Sequence, residues 1–195
     1  MRRVYVHNGH NVSEDMLLGI GAGVSFSYWQ FQGQMPFLGG RGNVSRPGEE
    51  GLERTMLEPP IRNIGVQGIR KAAQMVPQWS KVLETAELRG SLFNACIFIC
   101  PEGGTGGGLF RYMFGRFLRE AAEITGDPRM EASAEEFRQI GDRWEELGTW
   151  FRRMSEVSDP ASHLGECAVP LNALADMEEA AWKRLQELAQ VTPEA

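Results

Sequence analysis

What this chain has little of narrows its class before any motif is read. Cysteine occurs three times, at Cys96, Cys100 and Cys167. An odd count without framework spacing argues against a disulfide scaffold and for a reduced, cytoplasmic protein. Histidine is as scarce, at His7, His10 and His163. His7 with His10, or His163 with Cys167, would each supply two metal ligands; a zinc site needs three or four, so no metal and no cofactor are expected. No apolar stretch approaches the ~18 residues that cross a bilayer. The opening MRRVYVHNGH has two arginines but lacks the apolar segment of a secretory signal. Basic runs are missing too. Twenty Lys and Arg are dispersed among 26 Asp and Glu, for a formal net charge of −6, which excludes a dominant nucleic-acid-binding surface. Neither nucleic acid nor membrane is an expected partner.

Glycine is abundant, with 23 residues, and the composition changes near residue 60. In residues 1–60, Ser13 reads as the N-cap of a short helix, with Glu14 and Asp15 in its first turn. Met16, Leu17 and Leu18 give that helix a buried side, and Gly19 is its expected terminator. GVSFSYWQFQ alternates Val24, Phe26 and Tyr28 with small or polar residues, the period of a strand. LGGRGNVSRPGEEG reads as loop and EPP, at 58–60, as a boundary. Residues 61–195 read mostly as helix. Ile69, Ala72, Ala73 and Val76 share one face, and Pro77 bends or ends that segment. Phe137, Ile140, Trp144, Leu147, Phe151 and Met154 mark a second helix, and Leu171, Leu174, Met177, Ala181, Leu185 and Leu188 a last one. CIFIC, at 96–100, is the expected strand of this half. The fold class is therefore α+β, a small glycine-rich segment with few strands packed on a mostly helical domain.

CPEGGTGGGLFRYMFGRFLREAA, residues 100–122, sets five glycines in six residues before a strong amphipathic pattern. Eight apolar residues from Leu109 to Ala122 form one face, with Arg111, Arg116 and Arg119 expected to point away from it. A strand, a glycine loop and a helix would suit a phosphate. However, Gly107 and Gly108 lead into Leu109 and Phe110 instead of the Lys-Ser/Thr of a Walker loop, and the dinucleotide pattern fails at its last glycine. A tight corner with close backbone packing is the preferred reading. Anion binding by the amides of Gly106 to Gly108, with Arg111 as the nearest cation, is the alternative. Cys100 is the candidate nucleophile, because a thiol before a helix-opening loop can lose its proton more easily. The competing reading is a small buried hydrophobe, with Cys96, Phe98 and Cys100 on one strand face. GDRWEE and MEEAAWKR read as acidic faces that meet water.

Two stretches, in order, resemble a known family. GHNVSEDMLLGIGAGVSFSYW followed by PFLGGR is similar to the butirosin biosynthesis protein H family (BtrH N-terminal domain). IGVQGIRKAAQMVPQW and EGGTGGGLFRYMFGRFLREAA are similar to the helical domain of unknown function that accompanies it. The resemblance implies an abbreviated papain-like fold for residues 1–60 and acyl transfer, from a carrier-protein thioester to an amine, as the reaction class in natural-product biosynthesis. Ser13, Glu14, Gly19, Gly21, Gly23, Phe26 and Arg41, with Gly104, Gly106, Gly107 and Arg111, fall on its pattern as site-lining or structural positions. The family's cysteine belongs upstream of the Ser-Glu segment, where residues 1–12 hold none. Arg41 and Gly65 stand only 24 positions apart, leaving little room for the expected strands and histidine. No catalytic residue carries over. Either the chain is an abbreviated, inert relative, or the start and middle of the enzyme lie outside this sequence. The expectation is an acyltransferase relative without its nucleophile. The alternatives are a non-catalytic helical module, which binds an acyl carrier protein, a full-length relative or a second copy of itself, and a thiol enzyme using Cys100.

Overall fold

Ser13 opens the first helix as its side chain dictates, its Oγ accepting the Met16 N–H at 2.8 Å. The structure, a computed structural model, describes residues 12–41 and 52–190. Helix α1 spans Glu14–Ile20 and closes on Gly21. Gly19 lies inside it, not at its end. A Cβ there would stand 2.2 Å from the Phe117 ring, so this glycine is set by a close approach and not by termination.

Strand β1, Val24–Trp29, follows, with Val24, Phe26 and Tyr28 fully buried. It pairs antiparallel with β2, Phe37–Arg41, in the register Ser27 to Gly39 and Trp29 to Phe37. The LGGR segment is thus strand where loop was expected. Gly39 and Gly40 break the propensity signal but hold φ of +140° and +143°, and a Cβ on Gly39 would lie 2.8 Å from that of Phe98. The far edge of β1 is covered by Asn63 and Ile64, through the Tyr28 N–H to Asn63 carbonyl bond of 2.8 Å and a bridge from Ser27 to Ile64.

The rest is helical: α2 (Leu52–Leu57), α3 (Gly65–Met75), α4 (Thr85–Ile99), α5 (Arg111–Thr125), α6 (Pro128–Glu156) and α7 (Ala168–Gln190). Short 3₁₀ turns follow α3 at Val76–Lys81 and precede α7 at Ala161–Cys167. Pro77 ends the first α segment as its missing N–H requires. Gly126, at φ +70°, stops α5, and Asp127 with Pro128 starts α6.

CIFIC is not a strand. It forms the last turns of α4, a helix begun by a reciprocal capping box between Glu84 and Glu87. Leu88, Leu92, Ala95, Cys96 and Ile99 repeat at helical steps and are buried. Because α4 packs on α6 and also on β2, its apolar residues spread around the axis, which hides the helical period in so short a run. One apolar core joins the two halves. Phe26 stacks on Trp144 with centroids 5.4 Å apart, and Phe114, Phe137 and Trp182 meet edge-on or tilted at 4.7 to 5.0 Å. Each such pair contributes about 0.5–1.5 kcal/mol beyond burial. No described helix is long and apolar enough to cross a membrane.

Candidate functional site

The glycine loop joins two helices, α4 and α5. Its backbone is left-handed over an unusual length: φ is positive at Gly104, at Gly106 to Gly108, and then at Leu109 (+49°) and Phe110 (+68°). Glycines adopt this freely, whereas the two larger residues are strained at about 1–2 kcal/mol each. Full burial of Leu109 offsets part of that cost. Thr105, itself buried, staples the turn. Its hydroxyl lies 3.0 Å from the Cys100 carbonyl and accepts the Gly107 N–H at 3.2 Å. Gly108 packs on α6 so closely that a Cβ would sit 2.7 Å from Gly141 Cα. The loop is a corner, against a helix instead of a strand. An anion does meet its amides, but it is the protein's own: Glu145 Oε2 accepts the Gly108 N–H at 2.9 Å.

Arg111 does not point away from the apolar face. It is fully buried, and its Nε donates to Glu178 Oε1 at 2.6 Å while Nη1 reaches the carbonyls of Leu109 (2.7 Å) and Ser25 (3.0 Å). Glu178 is equally buried, which corrects the expectation that MEEAAWKR meets water. Its carboxylate also accepts the indole N–H groups of Trp144 and Trp182, both at 2.8 Å. Arg111 lies 5.6 Å over the Trp144 ring. The four side chains lock β1, α5, α6 and α7 together. Arg111 is thus unavailable to an outside anion. GDRWEE is corrected likewise, since Trp144 is core and Glu145 serves the loop.

Cys100 caps the C-terminal end of α4, the negative end of the helix dipole, not a position ahead of a helix N-terminus. Its Sγ lies 3.8 Å from that of Cys96, one turn back, while Phe98 faces outward. Burial first, then Cys96 and the carboxylates of Glu145 and Glu102, push the Cys100 thiol up. An activated nucleophile shows the reverse shift. Cys167 is pushed up to about 12, again by burial, and donates to the Leu164 carbonyl. His163 turns to the exposed Glu166 carboxylate at 2.7 Å, so His163 and Cys167 do not converge. His7 and His10 lie outside the described residues. Among the described residues no three His, Cys, Asp or Glu side chains are grouped to hold a metal.

The family-pattern positions of the first half that are described lie in a helix cap, a turn and the two-stranded sheet. Ser13 caps α1 and hydrogen-bonds Glu120 of α5, and Glu14 is exposed at the dipole end. Gly21 and Gly23 close the turn into β1, the latter through its N–H to the Leu18 carbonyl at 2.8 Å. Phe26 sits on Trp144, and Arg41 pairs with Val24 in the sheet.

Two surface clefts have side chains suited to ligands. A groove of about 350 Å³ between α5 and α6 carries Arg116, Arg119 and Arg138 beside Tyr112. Arg116 is already held by Asp15 at 2.8 Å, and Arg138 by Glu135 and Asp142, both at 2.7 Å. Tyr112 donates to Asp142 at 2.9 Å, and burial, then Asp142, push its phenol up to about 12. A larger cleft, of about 480 Å³, opens between the β1–β2 turn, the end of α3 and the start of α4. Its floor is Tyr28, whose hydroxyl accepts from the buried Trp79 indole at 2.9 Å and donates to Gln30 Oε1 at 2.7 Å. Reading the sequence missed this cleft because its walls come from three separate segments. The signal, three alternating glutamines in QFQGQ, is visible only once the hairpin is known.

Comparison with curated proteins gives no match, and comparison with solved structures gives none. The matched region is residues 48–185, which hold the glycine loop, the buried Arg111–Glu178 pair and both thiols of α4; it fits the family model described as Domain of unknown function (DUF4872), and the chain belongs to that family.

Proposed function

We propose that this chain is a non-catalytic relative of BtrH-like acyltransferases that acts as an interaction module, pairing edge-on with a strand of a second copy of itself. The observation that carries the reading is the open edge of β2. Its inner edge is taken by β1, and among the described residues no strand pairs with its outer edge. Two strands make a marginal sheet, and adding a strand to a free edge is a common binding mode. On the face of that strand Phe37 meets Phe98 of α4 edge-on at 4.9 Å, and Phe98 stays 37% exposed. Both rings offer apolar area next to unpaired backbone groups. A papain-like ancestry fits the N-terminal motifs, and a further strand would extend the sheet as such a fold requires.

Light scattering across a concentration series tests the reading. A dimer that Phe98→Lys converts to monomer, with unchanged helical circular dichroism, supports it. A monodisperse monomer at high concentration overturns it. Incubation with an acyl-loaded carrier protein and amine acceptors is expected to yield no product. Acyl transfer to an amine would restore the catalytic reading.

A further inference from the structure

Around Lys71, Gln30 and Asn63 the 480 Å³ cleft has its hydrogen-bonding polarity sorted in one direction. Lys71 carries only donors, and its Nζ lies 2.8 Å from Asn63 Oδ1. The Asn63 amide therefore presents its oxygen to the lysine, which leaves its NH₂ as the unused end. The same holds for Gln30, whose Oε1 is occupied by the Tyr28 hydroxyl. Tyr28 in turn spends its oxygen on the Trp79 indole, and burial raises its phenol, so it is not an anion. The oxygens of Tyr28, Gln30 and Asn63 are thus engaged inside the protein, whereas donors remain beside them: the Lys71 ammonium and the NH₂ groups of Gln30 and Asn63, with Gln32 and Gln34 of the hairpin presenting both ends of their amides. Lys71, Gln30 and Asn63 all line the cleft. The anion on its wall, Glu87, turns one oxygen to the Glu84 N–H.

Around these donors the lining is apolar. Met75 and Leu83 form the wall, and at the rim Phe31 and Val82 stand 56% and 61% exposed. Large apolar side chains that remain this exposed beside a concave surface often mark a binding site. The volume lies within the ~300–1,000 Å³ of small-ligand sites, where a few converging polar groups set orientation within apolar walls. One cation with two amide donors, over apolar walls, matches an oxyanion on an apolar body.

We propose that this cleft binds a carboxylate borne on an apolar body, with Lys71, Gln30 and Asn63 on the carboxylate and Met75, Leu83, Phe31 and Val82 on the body. Two sources present that chemistry, a peptide C-terminus ending in an apolar residue and a free carboxylic acid. The proposal does not depend on the β2 edge, which belongs to the opposite strand and to α4.

The nitrogen-labelled 195-residue chain is titrated with acetyl-Gly-Ala-Leu bearing a free carboxylate, with the same peptide as its C-terminal amide, and with 4-methylpentanoate. The side-chain amide resonances of Gln30 and Asn63 and the Trp79 indole are followed. At least one of the two acids is expected to shift them saturably. The amide binds at least about tenfold more weakly, as loss of a charge-assisted hydrogen bond implies. Lys71→Met is expected to weaken the acid by a similar factor, and Gln30→Leu, on the hairpin, provides a second variant whose folding does not depend on α3. Binding by the peptide acid alone assigns a peptide terminus, and binding by methylpentanoate alone or by both assigns a free acid group on any apolar body. Equal affinity for acid and amide, or no shift of the three reporters, overturns the proposal.

Discussion

At the scale of single residues, the arrangement that decides most is a carboxylate with three donors and no solvent exposure. Glu178 accepts from Arg111, Trp144 and Trp182, and the arginine side chain has no exposure at all. Removing one partner of such a pair leaves a buried charge unanswered, which costs about 3–5 kcal/mol. Glu178→Leu should therefore lower the urea-unfolding free energy by that amount. The double variant Arg111→Met with Glu178→Gln removes both charges yet keeps a carbonyl oxygen for one of the two indoles, which donate to separate oxygens of Glu178, so it should cost less than Glu178→Leu alone. A double variant as unstable as the single one would show that the charges are not what matters. Nothing in the local sequence marks either residue as buried. Arg111 follows Leu109 and Phe110, and counting those two as part of the helix assigns it to the far face. The left-handed turn takes Leu109 and Phe110 out of the helix, and Arg111 then shares the buried stripe of Phe114, Gly115 and Leu118 at steps of three, four and seven, while Arg116 and Arg119 face solvent, as expected of them.

At the scale of elements, the glycine loop separates two demands that a sequence cannot tell apart, conformation and space. Gly104 and Gly108 both have positive φ, +76° and +54°. A Cβ on Gly104 would meet nothing within 4 Å, whereas one on Gly108 would strike the α6 backbone at Gly141. Gly104→Ala should thus cost only the left-handed penalty, about 1–2 kcal/mol. Gly108→Ala adds overpacking of about 1–3 kcal/mol against an unyielding backbone. Chemical denaturation of the two variants measures the difference, and equal losses would refute close packing as the reason for Gly108. The corner reading was legible because runs of glycine have few other uses before an amphipathic helix. The helices were legible too, since α6 and α7 each bury one periodic stripe. Two elements were not. The CIFIC turns of α4 are apolar at every position, the outward-facing Phe98 included, so composition alone does not mark the buried stripe of Leu92, Ala95, Cys96 and Ile99. Strand β2 carries two adjacent glycines that propensity reads as loop, and only its pairing with β1 and the close pass of Phe98 reveal their purpose.

At the scale of the molecule, the composition change near residue 60 does not correspond to a break in the core. Phe26 of β1 lies on Trp144 of α6, the Ser25 carbonyl accepts from Arg111 of α5, and Trp79 donates to Tyr28. Each contact crosses between the glycine-rich segment and the helices, and each is buried. Such contacts couple the two parts energetically, so they should unfold together. Phe26→Ala tests this directly. It removes a fully buried ring and should cost about 3–5 kcal/mol. The loss belongs to the whole molecule: helical circular dichroism and tryptophan fluorescence should shift by the same amount and remain superimposable in urea. If the helical signal keeps its wild-type midpoint while fluorescence moves, residues 12–41 are an appendage on an independently stable helical domain. In that case the open edge of β2 would be presented by a segment able to detach, and the Phe98→Lys variant, placed on the helical side, would no longer report on strand pairing.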